Sequence, residues 1–267
     1  MKRAALFALG LNGLLLSSAL AGPFDYGFDG TLSDHFVPLF PNPNSTITQN
    51  DVTEQVEYTA SDGDLSEENG TGLEHINFRP RYDQSWRVAV DVTLPAGYDT
   101  SFLANNPANQ DNGRDTWIEL GIFAFTSFDD RRVFSSSLEV ILDGGSVVQR
   151  NVASHHDLDD SSRRVPTTDT SVRLTLGYDH LNEVLSAFAG DTQIHTANLG
   201  AASSDWQMTD SDTFSIGIFG STGFQAVSAD NPLIHDNFTA AIIPEPATQI
   251  LALLAVTCLR PVRGLRA

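Results

Sequence analysis

A chain of 267 residues is long enough to bury a full apolar core without cross-links, and its one cysteine, Cys258, excludes a disulfide-knit scaffold. The formal charge is −19, and all but one of the acidic residues lie within residues 22–243. A polyanion of this kind repels phosphate backbones, which sets nucleic acid aside as a partner.

The chain starts Met1-Lys2-Arg3, continues as an apolar run over residues 4–16, and reaches the small residues Ala19-Leu20-Ala21. That is the layout of a secretory signal helix, with Ala19 and Ala21 sized for the signal peptidase pocket and cleavage expected after Ala21. Asn12 and Gly13 interrupt a run already short of the ~20 residues needed to span a bilayer, which disfavours an uncleaved anchor.

Residues 22–243 lack long helical periodicity and alternate with period two instead, which places apolar side chains on one face of a strand. The clearest case is 86–94, where Trp86, Val88, Val90, Val92 and Leu94 face one way and Arg87, Asp91 and Thr93 the other. Residues 117–125 carry apolar groups on both faces, as a central strand does. Further strands are expected at 133–142, 171–178, 184–189, 192–198, 213–219 and 233–240, with 171–189 folding as a hairpin about Asp179-His180-Leu181-Asn182. The polar stretches 41–45, 61–72, 95–114 and 151–169 read as surface loops. With no repeat and no composition shift, 22–243 is one domain. Many short antiparallel strands without helices leave two architectures, a barrel or a two-sheet sandwich.

The C-terminal segment, 244–267, reads Pro244-Glu245-Pro246-Ala247-Thr248, then an apolar stretch to Leu259, then Arg260, Arg263 and Arg266. The prolines end the last strand, and the trailing arginines hold that end in the cytoplasm during export. The segment resembles the PEP-CTERM sorting tail. The resemblance implies that Pro244, Glu245 and Pro246 are recognised by an exosortase, a membrane-embedded transpeptidase-like enzyme that removes the tail as the protein reaches the cell surface or exopolysaccharide matrix. The apolar stretch 247–259 has only 13 residues, short of the ~17–25 of a spanning helix, so membrane association is expected to be transient.

The order of features in the domain favours the sandwich. Phe24-Asp25-Tyr26-Gly27-Phe28 near its start, Trp86 opening a strong strand, the 171–190 hairpin, 214–219, and a closing Ile234-His235-Asp236-Asn237-Phe238 together resemble a concanavalin A-like (laminin G or lectin/glucanase) jelly roll. The resemblance implies an all-β, two-sheet antiparallel sandwich with first and last strands adjacent and a concave face of the kind that meets glycans.

Catalytic chemistry has no local signature. The Glu-x-Asp-x-x-Glu strand of β-glucan hydrolases of that fold is absent, and Glu119 and Glu139 read as isolated strand carboxylates facing solvent. Gly-x-Ser-x-Gly and phosphate-binding glycine loops are absent as well. His155-His156-Asp157-Leu158-Asp159-Asp160 has metal-ligand residue types but reads as a solvated loop. Asp25, Asp29 and Asp236 are candidate oxygen ligands for Ca²⁺ near the paired terminal strands, and no other cofactor is expected. Trp86, Trp117 and Trp206 each read as core residues rather than sugar platforms, with Trp206, in a polar stretch, the best stacking candidate of the three. The expectation is therefore an exported, non-catalytic surface or matrix protein whose partner is an extracellular polysaccharide. The alternatives are an extracellular glycoside hydrolase or lyase of the same fold, and a purely structural matrix component.

Overall fold

The computed structural model describes residues 24–26, 28, 30–61, 68–95, 97–98, 116–126, 132–143, 147–156, 161–199, 208–209, 211–223 and 226–244. The signal segment with Ala19 and Ala21, Asp29, Trp206, Glu245 and Pro246 lie outside them, as do both expected terminal helices. Of the sorting motif, Pro244 is described; it follows Ile243, whose N–H donates to the Ser85 carbonyl at 2.8 Å.

The strands are β1 (Phe24–Tyr26), β2 (Phe36–Pro38), β3 (Ser45–Asn50), β4 (Gln55–Ala60), β5 (Glu68–His75), β6 (Trp86–Thr93), β7 (Thr116–Phe125) and β8 (Val133–Asp143). They continue with β9 (Val147–His156), β10 (Ser161–Pro166), β11 (Ser171–Asp179), β12 (Val184–Ala189), β13 (Thr192–Asn198), β14 (Ser215–Gly223) and β15 (Leu233–Ile242). One sheet runs β13-β12-β11-β6-β15-β4-β3, with β1 lying beside β15; the other runs β10-β9-β8-β7-β14-β5-β2. All named pairings are antiparallel, with β1 bound to the last strand through Phe24↔Ala240, Asp25↔Thr239 and Tyr26↔Phe238. This is the two-sheet antiparallel sandwich expected, with first and last strands adjacent.

The period-two pattern of β6 decides which side faces in. Trp86, Val88, Val90, Val92 and Leu94 are all buried between the sheets while Arg87 is exposed. Trp86 meets Phe214 edge-on at 5.1 Å between centroids, and Tyr178 lies 5.0 Å from Phe214, forming one aromatic pole. The other pole gathers Phe28, Phe36 and Phe238 around His75. Each such side chain contributes roughly 1.5–3 kcal/mol by leaving water. The hairpin at 171–189 forms as expected: Asp179 pairs with Val184, and the Asp179 carboxylate accepts the N–H groups of Leu181 and Asn182 across the turn.

Several segments read as loops are strands. Residues 151–169 contain most of β9 and all of β10, the start of β5 falls within 61–72, and β2, β3 and β4 have no counterpart among the expected strands. For three of these the reason is position: β10, β3 and β2 are sheet edges, where polar residues such as Ser162, Arg163 and Arg164 stand on both sides without cost and alternation disappears.

Two histidines are locked neutral in the core. His75 Nδ1 accepts the N–H groups of Asn77 and Phe78 at 3.2 and 2.9 Å, and His235 Nε2 donates to the Gly121 carbonyl at 3.0 Å. Burial pushes both imidazoles down to about 4, with His35 adding repulsion at His75. These values lie below the ordinary ~6.5, so the unfolded chain binds protons first as the pH falls, and stability present above ~6.5 is lost towards ~4. Thermal melts are expected to show a Tm that falls over this window, with a shallower fall in His235→Gln; a flat profile would refute the assignment.

Candidate active site

The outward residues of the second sheet fall into rows that cross the strands. One row is Asn151, Glu139, Glu119, Ser221 and Gly70, each the register partner of the next across β9, β8, β7, β14 and β5. The next row is Arg164, Ala153, Ser137, Gly121, Phe219 and Gly72, and a third runs Ser162, His155, Ser135, Phe123 and Gly217. In the middle row Ala153, Ser137 and Gly121 are small, so its centre is a floor lying between the carboxylates and the bulkier His155 and Phe123. Residues from all three rows, with Phe40 at the rim, line a cavity of about 460 Å³.

Two glycines fit the aromatic rings to this face. A Cβ on Gly121 would fall 2.7 Å from Phe219 Cε1, and one on Gly217 would fall 2.5 Å from Phe123 Cζ. The rings therefore occupy the space where side chains would stand, and their centroids lie 6.3 Å apart.

Glu139 is buried with 4% exposure, and its Oε1 accepts Arg164 Nε at 2.8 Å and Asn151 Nδ2 at 3.3 Å. Burial raises its carboxyl above the ordinary range against the opposing charge of Arg164. Glu119 is less buried and accepts the Ser137 hydroxyl on Oε2 at 3.2 Å. Residues directly opposite on antiparallel strands have Cβ atoms about 4.5–5.5 Å apart. Two carboxyl groups in different settings thus stand side by side above one cavity.

Glu119 and Glu139 are not the isolated carboxylates expected from the sequence; hairpin register unites them. Folding the expected strands 117–125 and 133–142 about their short connection would have found the pair. Trp117 is also displaced from its expected place. It lies on the outer face rather than in the core, next to the carboxylate row, with its indole N–H donating to Ser221 Oγ at 3.3 Å. Trp86 is core, as expected. The His155-His156 run is split by the pleat of β9, His155 lining the cavity and His156 buried edge-on to Phe134. Among the described residues no group of three or more His, Cys, Asp or Glu is placed to hold a metal ion. Of the proposed Ca²⁺ ligands, Asp236 accepts Gln55 Nε2 at 3.1 Å and the Asn237 N–H at 2.7 Å, and Asp25 is a backbone partner of Thr239.

The sequence matches no family model and no curated protein. Similar solved structures include a functionally unknown protein from Saccharomyces cerevisiae, at 13% identity and a TM-score of 0.49, covering 81% of this chain and 100% of that one. The Bacillus licheniformis β-glucanase is similar at 7% identity and a TM-score of 0.43, covering 84% and 98%. A marine alginate lyase from Zobellia galactanivorans is similar at 11% identity and a TM-score of 0.46, covering 76% and 83%. At these identities the likeness is one of fold. The expectation of a non-catalytic domain is corrected here: the missing single-strand motif on which it rested is no obstacle when two strands each supply a carboxylate.

Proposed function

We propose that the domain is an extracellular carbohydrate-active enzyme that hydrolyses a polysaccharide laid across the strands of the second sheet. The observation that carries this reading is the register pairing of Glu119 with Glu139 in one cavity. Retaining glycoside hydrolysis needs two carboxyl groups ~5–5.5 Å apart and the inverting route ~6.5–9.5 Å; Cβ atoms opposed at ~4.5–5.5 Å leave the shorter spacing within reach of this pair.

The two environments divide the roles. Glu139, the more buried group with the raised carboxyl, gives its proton to the glycosidic oxygen as the bond to the anomeric carbon breaks. Glu119, as carboxylate, forms a bond to that carbon. In the second step the Glu139 carboxylate takes a proton from water, the resulting hydroxide displaces Glu119, and both groups return to their starting forms. Phe123 and Phe219 offer apolar faces to sugar C–H groups, while Ser135 and Ser137 offer hydroxyls. The test is a reducing-end assay of the secreted protein on a panel of polysaccharides, with a glycan array run beside it. Product release is expected; binding without release from any member would refute hydrolysis.

The address follows from the chain's two ends: export through the segment ending at Ala21, transient membrane contact, and removal of the tail by an exosortase-type enzyme at Pro244-Glu245-Pro246. Mass spectrometry of the protein from its native host is expected to find it starting at Gly22 and lacking the terminal arginines. A product intact through Ala267 would count against sorting.

A further inference from the structure

We propose that Arg164 is the positioning residue of the carboxyl pair, reaching in from the sheet edge to fix Glu139 beside Glu119 and leave its proton on Oε2. The inference rests on the hydrolytic reading above. β10 is the outermost strand, and Arg164 is the register partner of Ala153, which is the partner of Ser137. Glu139 stands two residues further along β8, so the arginine must cross β9 at the position where that strand carries only a methyl group.

Two donors then converge on one oxygen. Arg164 Nε and Asn151 Nδ2 both meet Oε1, and neither reaches Oε2. An oxygen already accepting two N–H groups is the poorer site for a proton, so the neutral acid carries its hydrogen on Oε2. The guanidinium also limits how strongly that proton is held. Burial favours the neutral carboxyl, and the Arg164 guanidinium from β10 opposes it. Glu119 on β7 and His155 on β9 are the other titratable groups lining the cavity. The Arg164 side chain is 56% exposed, so it can be exchanged without opening the core.

The experiment is a carbon-13 carboxyl titration of glutamate-labelled secreted protein, comparing wild type with Arg164→Gln and assigning Glu139 by its loss in Glu139→Gln. Removing the arginine is expected to raise the Glu139 midpoint by about 1–3 pH units. The alkaline limb of the pH–rate profile should move up with it, because the acid stays protonated longer, and Arg164→Lys should fall between the two. A residue with a merely structural role would lower the rate at every pH without moving the limb. An unmoved Glu139 midpoint overturns the inference whether or not any glycan is cleaved. A moved midpoint in a protein whose wild type cleaves nothing instead refutes the hydrolase and, with it, the catalytic meaning of the clamp. Should Arg164→Gln not fold, the lysine variant carries the same comparison.

Discussion

Glu139→Gln is expected to lower the hydrolytic rate by about 10²–10⁴-fold while leaving the melting temperature near that of wild type. Glutamine keeps the volume of the side chain and lets its carbonyl oxygen accept from Arg164 and Asn151, where Glu139 Oε1 does now. What disappears is the transferable proton. Glu119→Gln should be as severe for a different reason, since it removes the group that bonds to the anomeric carbon. The two losses are separable: a small anion such as azide can enter the space vacated in Glu119→Ala and attack in its place, restoring turnover with inverted product. A Glu139→Gln rate within a few-fold of wild type would end the assignment of these roles.

Trp86→Ala should have the largest effect on stability, about 3–5 kcal/mol in denaturant-induced unfolding. The indole is fully buried at the start of β6, and Phe214 and Tyr178 pack against it. Alanine leaves a cavity bounded by aromatic rings held in both sheets, which cannot collapse onto it without moving strands. Against the 5–15 kcal/mol that holds a typical domain folded, such a loss threatens expression as well as stability. Trp86→Phe, which refills part of the space, should cost less. A Trp86→Ala loss under 1 kcal/mol would mean that this pole contributes little to holding the sheets together.

The sandwich was legible where one strand face is apolar and the other polar. β6 and the β11–β12 hairpin show the period directly, and the central strand β7 shows it on both sides. Edge strands escaped because their side chains need no burial: β10 reads Ser-Ser-Arg-Arg-Val-Pro, which nothing local separates from a turn. The site was harder still. Glu119 and Glu139 are twenty residues apart, and only the register of β7 with β8 makes them neighbours. Arg164 was invisible for two reasons together, being on a strand read as loop and acting two strands away from where it is attached. Gly121 and Gly217 look like ordinary strand glycines until the rings of Phe219 and Phe123 are seen filling the space beside them.

The pairing of β1 with β15 sets Phe24 opposite Ala240, about 4.5–5.5 Å apart between Cα atoms. A linker of a few residues would therefore join the two ends of the sandwich without crossing either sheet. New ends can then be opened at Val52, which is 91% exposed at the turn from β3 to β4, on the far side of the sandwich interior from the carboxylate row. The resulting circular permutant would keep every strand partner, so the domain is suited to insertion as a cassette into a surface loop of another protein.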